Sequence, residues 1–364
     1  MVLWTVVALA VVVAGAGTAV YFWADGRVRT TEAFGEYAGR PQAGKGTDWL
    51  LIGSDSRATL TPEQRRELHV GSNEVRNTDT LMIVHQGDHG TTMVSLPRDS
   101  YVAIPGHGQG KINSAFALGG PKLLTRTVEQ ATGLRLDHFA EVDFLGFVDV
   151  VDALGGVRIC VPAGGLRDER SGADFAAGCQ EMDGVQALSY VRARYSDPEG
   201  DLGRVRRQRQ LVSAVAEKAS SPAVALNPWR AGPFLSASLD AVTVDRGADV
   251  RDLFRLGRGL RGAADGPEGT ERALTVPLQS EGEVPGAGDV VVWDRRRAGE
   301  LFAALREDRP IPTSDLKWRI LERKDVDTVP TVVPWPSRGG RPGRPGGRRG
   351  VARAVPGGPG GIGR

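Results

Sequence analysis

Two sets of side chains in this 364-residue chain have the types and spacing to handle a phosphorylated ligand. The first is cationic. The stretch YVRARYSDPEGDLGRVRRQRQ, Tyr190 to Gln210, carries six arginines. Arg192 and Arg194 stand two apart, so an extended segment would put both guanidiniums on one face. Arg204 and Gln208 stand four apart on a helix expected over Gly203–Ser220, within the apolar stripe of Val205, Leu211, Val212 and Val215. Polar groups on a core-facing stripe are costly unless paired, so these two need an internal acid or a bound anion. Arg207 falls at the edge of the stripe, while Arg206 and Arg209 point away and read as solvated charges. Guanidiniums so grouped suit forked recognition of phosphate oxygens. The interleaved Asp197, Glu199 and Asp201 would repel a polyanion such as nucleic acid, and a small metal-bound phosphate tolerates them better.

The second set is acidic. Asp55 in GSDSR, Asp79 in RNTDT and Asp99 in LPRDS each stand at the end of an expected strand, two of them with an arginine (Arg57, Arg98) within two residues. Singly, an aspartate there is usually a turn or cap residue. Three together point to one edge of a sheet, where α/β proteins bind ligands. Hard oxygen donors suit Mg²⁺, which commonly takes one or two carboxylates plus substrate phosphate. The chain has no phosphate-binding GxxxxGK loop, GxSxG, HExxH or CxxC. His138 in LDHFAEVDF reads as a structural residue.

These side chains need a scaffold. Apolar runs predict strands at Trp49–Ile52, Thr80–His85, Thr91–Leu96, Tyr101–Ile104, Val157–Val161, Arg272–Val276 and Val290–Trp293, with a hairpin turn at GDHG. Helical periodicity covers Pro121–Thr132, Phe144–Ala153, Asp249–Leu260 and Arg296–Leu305, and a further helix starts near Gln186. The alternation predicts an α/β fold, a central mixed sheet sandwiched by helices.

Composition sets the limits of that domain. Val2–Trp23 is an uncharged run of 22 residues, long enough for a transmembrane helix and too long for an ordinary signal-peptide core. The expected organisation is an anchor over 1–24, a polar linker over 25–47, a folded domain over 48–335 and a Gly/Pro/Arg-rich disordered tail over 336–364. Removing the tail's seven arginines from the net charge of +2 leaves −5, which argues against a nucleic-acid-binding domain. The chain's two cysteines, Cys160 and Cys179, flank a polar, glycine-rich loop, and two thiols with no nearby histidine make a poor metal site. A disulfide between them requires an oxidising compartment outside the cytoplasm. Arg27 and Arg29 after the apolar run would by themselves favour the opposite orientation.

Taken in order, WLLIGSDSR, TDTLMIVH, VSLPRDSYVAIPGHGQGKINSAFALGG, VDFLGFVDVVDALGGV, MDGVQALSYVRAR and GDLGRVRRQRQ resemble the LytR-CpsA-Psr family of cell-wall glycopolymer transferases over about residues 48–215. The cysteine pair resembles a disulfide of actinobacterial members. The resemblance implies a single-pass membrane protein with its domain outside the cell. It implies Mg²⁺-dependent transfer of a glycopolymer from a polyprenyl-pyrophosphate carrier to peptidoglycan. It assigns Asp55 and Asp79 to Mg²⁺. Arg57, Arg98, Lys111, Arg192, Arg194, Arg204 and Gln208 would grip the pyrophosphate, and Asp99 or Asp201 would activate the acceptor hydroxyl. Phe116, Phe144 and Phe147 would line a pocket for the prenyl chain. One position departs from the family pattern: Asn77 stands where an arginine is common, with Arg76 one place earlier. The same residues would serve a pyrophosphatase that delivers the phosphate to water, whereas a non-enzymatic, membrane-tethered regulator or binding module would not need Asp55 and Asp79.

Overall fold

The structure is a computed structural model that describes residues 15, 17–55, 61–68, 78–193, 201–264 and 273–311, all within one compact unit. Residues 17–25 are helical (α1) and lead to the short strand β1 (Arg29–Thr31). β2 (Thr47–Ser54) precedes α2 (Pro62–Glu67), whose start is set by Pro62 and a reciprocal capping box between Thr61 and Gln64. β3 (Thr78–Gly87) and β4 (Gly90–Ser95) turn at Asp88–His89 as GDHG predicts. β5 (Tyr101–Ile104) and β6 (Gly108–Lys111) make a second hairpin and lead to α3 (Ser114–Thr132). β7 (His138–Asp143) runs into α4 (Phe144–Ala153). β8 (Val157–Val161), β9 (Leu166–Asp168), β10 (Ala173–Phe175) and β11 (Gly178–Met182) pair as β8 with β11 and β9 with β10. α5 (Gly184–Arg192), α6 (Asp201–Ala219), α7 (Pro222–Ala225) and α8 (Pro228–Ala241) follow. β12 (Val242–Asp245), α9 (Val250–Ala264), β13 (Ala273–Thr275), β14 (Leu278–Val284), β15 (Gly288–Trp293) and α10 (Arg295–Arg306) complete the order.

The main sheet has seven strands in the order β1-β12-β7-β2-β3-β4-β13 and mixes parallel and antiparallel pairs. Both faces are buried, which is why β2 and β3 read as continuous apolar runs. Leu50, Ile52, Leu81 and Ile83 face α3 and α10 through Phe116, Leu124, Leu301 and Phe302. Trp49, Met82 and Val84 face the other way, against Val212 of α6 and Leu253 and Leu256 of α9. The expected sandwich is therefore the observed one. A second core joins α4, α5 and α6 to the small hairpins around Val151, Ile159, Tyr190 and Leu211. Helix α4 approaches its neighbours through glycines. A Cβ at Gly146 would lie 2.8 Å from the Ala241 backbone, and one at Gly184 would lie 2.5 Å from the Val148 carbonyl.

Three expectations need correction. Residues 25–47 are more than a linker: β1 pairs with β12, and Ala33 lies in the core. In that segment Tyr37 and Arg40 hold the buried Glu129, with the Tyr37 hydroxyl donating at 2.9 Å. Helix α3 begins seven residues earlier than expected but breaks at Gly119–Gly120, where neither residue is helical and Pro121 restarts it. β7, an interior strand of the sheet, and α8 carry polar or helix-breaking residues and were not expected. The Asp245 carboxylate fixes β7 by accepting from the Phe139 amide at 2.9 Å. Among the described residues no helix is long and apolar enough to cross a membrane, and most of the Val2–Trp23 run lies outside them. The expected tail also lies outside them.

Candidate functional site

The three aspartates do share one edge. β2 and β4 end there and β3 begins there, since Ser54 pairs with Thr78 and Ser95 with Met82. The β2–β3 register slips at this point: Gly53 opposes Thr80 and Ser54 opposes Thr78, leaving Asp79 as the extra residue of a bulge. A bulge bends its strand and re-aims the side chain it carries. Asp55 follows β2 directly and is buried. On the other side of β2, Asp143 stands level with Ser54 and caps α4, its carboxylate accepting from the Gly146 amide at 2.7 Å.

The cations are threaded between these carboxylates. Arg98 donates from Nη1 to Asp79 Oδ1 at 2.7 Å, and its Nε lies 3.4 Å from Asp99 Oδ2. Lys111, at the end of β6, sits 2.9 Å from Asp99 Oδ1. Asp99 is buried and so holds two cations in place. The loop that carries it is fixed by its backbone. The Ser100 amide donates to Pro97, Ile112 donates to Ser100, and Val291 of β15 donates to the Asp99 carbonyl at 2.9 Å. Trp293 adds an indole hydrogen bond to the Ser100 hydroxyl at 2.8 Å. This support from β15 has no local signal in the sequence around Asp99.

The arginine-rich stretch contributes from the opposite side. α5 starts with a capping box between Asp183 and Gln186, a D-x-x-Q signal visible in the sequence, and runs to Arg192. Arg192 is thus helical, and only Ala193 beyond it turns extended. Its guanidinium donates to the Leu68 carbonyl at 2.7 Å and lies 5.3 Å from the Phe144 ring centre. On α6, Arg204 and Gln208 are buried as the stripe predicts, and Gln208 donates to the Asp79 carbonyl at 3.4 Å. Arg206 is exposed. Arg209 corrects the expectation of a solvated charge, and Arg207, at the edge of the stripe, is buried. Arg207 is 7% exposed, donates to the Ala193 carbonyl and faces Tyr190, because α5 covers that flank of α6. Arg209 is half-buried and donates to the Ala273 carbonyl at 2.9 Å.

Residues 24–298 match the LytR_cpsA_psr family. The chain belongs to that family. It is 44% identical over 289 residues to the probable cell wall biosynthesis protein LcpB of Corynebacterium glutamicum, covering 79% of this chain and 67% of LcpB. It is 38% identical over 173 residues to TagU of Enterococcus faecalis, named a polyisoprenyl-teichoic acid–peptidoglycan teichoic acid transferase, covering 47% of this chain and 53% of TagU. The chain thus spans two thirds of the first relative and about half of the second. Its fold resembles the LytR-Csp2A-Psr enzyme from Actinomyces oris, with a TM-score of 0.57 at 19% identity, covering 79% of this chain and 98% of that one.

Within this LytR_cpsA_psr chain the structure brings together Asp55, Asp79, Arg98, Asp99, Lys111 and Gln208 at or beside one sheet edge, with Arg192 and Arg204 on the neighbouring helices. Arg57, Arg76, Arg194 and Asn77 lie outside the described residues, as does the side chain of Asp201. The three phenylalanines expected to line one pocket are divided. Phe116 packs in the core between sheet and α3, whereas Phe144 and Phe147 pack with Leu68, Val148 and Leu188 beside Arg192. His138 stacks on Trp49 at 4.5 Å and reaches Asp245 at 3.3 Å, a structural role as expected. Burial would lower its pKa, but the Asp245 hydrogen bond and charge outweigh this and raise it. Cys160 and Cys179 face each other across β8 and β11 and are joined in a disulfide.

Proposed function

We propose that this chain moves a glycopolymer from a polyprenyl-pyrophosphate carrier to a hydroxyl of peptidoglycan, leaving a phosphodiester link. The observation that carries this reading is the chain of contacts Asp79–Arg98–Asp99–Lys111 at the edge where β2 and β4 end. It presents fixed cations beside carboxylates, the composition that a pyrophosphate needs. The name of TagU describes such a transfer for that protein.

The donor set fits Mg²⁺. Ser54 Oγ and Thr78 Oγ1, opposite each other beside Asp55 and Asp79, are buried oxygens without a hydrogen-bond partner in the structure. Among the described residues no three carboxylate, imidazole or thiol groups are arranged to hold an ion. Asp55 and Asp79 would therefore hold Mg²⁺ together with ligand or solvent oxygens, as this ion commonly prefers. Bound there, Mg²⁺ supplies charge to the phosphate oxygens.

The remaining steps belong to the chain's own residues. The acceptor hydroxyl oxygen attacks the sugar-proximal phosphorus, and the bond from that phosphorus to the bridging oxygen breaks. Polyprenyl phosphate leaves with the bonding electrons, and the hydroxyl proton passes to Asp99 or Asp201. Arg98, Lys111, Arg192 and Arg204, with Arg57, Arg76 and Arg194, neutralise the charge that gathers on the departing phosphate, and Gln208 offers it a hydrogen-bond donor. Phosphoryl transfer of this kind needs positioning and charge more than a covalent nucleophile.

We read the Val2–Trp23 run as the membrane anchor, its described end leaving Phe22 and Trp23 exposed, and the disulfide as favouring a domain outside the cytoplasm. The test is to incubate the full chain with a polyprenyl-pyrophosphate oligosaccharide, with and without peptidoglycan fragments, in Mg²⁺ or in EDTA, and identify the products by mass spectrometry. A Mg²⁺-dependent conjugate supports the transferase. Free polyprenyl phosphate with no conjugate favours the pyrophosphatase, and binding without turnover favours the tethered binding module.

A further inference from the structure

The outer face of α9 is not used by the reaction. Its inner residues Leu253, Leu256 and Leu260 pack on the sheet. Arg251, Phe254, Arg255, Arg258 and Arg261, spaced at three and four residues, are all exposed on the other side. Phe254 is 67% exposed, a large apolar ring at the centre of four arginines. Arg255 contacts Asp252 at 3.1 Å, and Asp249 accepts from the Arg251 amide at 2.8 Å. Basic charge around an exposed aromatic on an amphipathic helix is the pattern of a helix lying in a bilayer interface, the ring among the acyl chains and the cations at the headgroups.

A second observation ties this face to the membrane. The end of α1, which continues the apolar run from residue 2, docks on the start of α9. Tyr21 donates to Asp249 at 3.2 Å, and the Arg251 guanidinium lies 4.8 Å from the Tyr21 ring centre. Val20, Phe22 and Trp23 are exposed beside that contact. Opposite it along the chain, Arg27 pairs with Asp240 of α8 at 2.6 Å, so the exit of α1 is held at both ends.

We infer that the outer face of α9 is a membrane-surface contact that takes anionic phospholipid headgroups, seating the domain on the bilayer next to its anchor. The inference rests on the proposed membrane tether. It turns the sheet face covered by α6 and α9 toward the lipid. α6, which brings Arg204 and Gln208 to the site, packs beside α9 on that face. The reaction edge then opens along the membrane surface, where a prenyl-linked pyrophosphate would present its phosphates.

The test places single environment-sensitive fluorophores on the full chain, reconstituted in vesicles of phosphatidylcholine alone or mixed with phosphatidylglycerol. Labels sit at Phe254→Cys, at Glu300→Cys on α10 across the sheet, and at Val12→Cys within the apolar run. The inference expects a blue shift at position 254, and quenching there by nitroxide lipids, only in the anionic vesicles. It expects loss of that shift in an Arg255→Glu, Arg258→Glu, Arg261→Glu variant and at raised salt, with no response at position 300. A position-254 label that stays aqueous while position 12 is buried overturns the inference and leaves the anchor standing. A position-12 label that stays aqueous removes the anchor, and the position-254 shift then decides the α9 contact by itself. A shift at 254 produced by soluble polyglutamate but by neither vesicle overturns it in favour of an anionic polymer.

Discussion

Arg98 and Asp79, nineteen residues apart in sequence, meet at 2.7 Å across the candidate site, joining the loop after β4 to the bulge that opens β3. Their side chains are 19% and 23% exposed, so the pair sits at the boundary between core and solvent. A pair at this boundary, still reached by solvent, contributes little to stability, about 1 kcal/mol. Its place beside the proposed ligand gives it larger weight in the transition state.

Arg98→Ala is accordingly expected to lower kcat about a hundredfold or more, while the thermal midpoint moves little. Steady-state kinetics with a melting curve on the same preparation checks this. A variant that melts early and keeps its kcat would assign Arg98 to folding.

Glu129 tests the assignment of residues 25–47 to the fold. Its carboxylate is 2% exposed and is gripped by Arg40, itself 9% exposed, at 3.0 Å. Leu136 donates its amide to the same group at 3.1 Å. Glu129→Ala leaves Arg40 only the exposed Glu36, at 3.0 Å, as an acid partner, and breaking a buried pair in this way costs up to about 3–5 kcal/mol. Urea denaturation should show that loss. A mere linker over 25–47 predicts almost none.

The Cys160–Cys179 bond closes a small hairpin lobe. Replacing both cysteines with serine should destabilise the chain by about 3 kcal/mol in the chain-entropy account. Reductant should lower the midpoint of the natural chain and leave that of the serine variant unchanged.

At the opposite edge of the sheet His85 is buried between Asp48, at 2.8 Å, and Asp308, at 3.5 Å. Burial alone would depress its pKa. The hydrogen bonds and charges of Asp48, then of Asp308, prevail and raise it above 6.5. His89 also faces Asp308, and Asp137 accepts from the Asp48 amide. A raised histidine stabilises fully below its unfolded value and loses that contribution as pH rises through the folded value. His85→Gln should therefore flatten the fall in thermal midpoint as pH rises above about 6.5. An unchanged slope would remove His85 from the account.

The strands of the site were legible because β2, β3 and β4 are apolar runs, and because an aspartate stands at or just beyond the site end of each. The helix positions of Arg204 and Gln208 followed from the apolar stripe. The bulge was not legible, since a one-residue slip against a partner strand leaves no mark in TDTLMIVH. Arg209 was misread because its partner, the Ala273 carbonyl of β13, is distant in sequence and periodicity within α6 cannot reveal it. β7 was hidden by His138, Glu141 and Asp143, polar residues whose strand conformation is fixed by its partners β2 and β12 and by Asp245.

The central claim concerns where one phosphorus atom goes. A polyprenyl-pyrophosphate oligosaccharide carrying a radioactive label only in its sugar-proximal phosphate, offered with peptidoglycan and Mg²⁺, answers it directly. The account predicts that the label becomes covalently fixed to peptidoglycan, and that Asp79→Asn abolishes the transfer. Label released as soluble sugar phosphate, or transfer undiminished in Asp79→Asn, would contradict it.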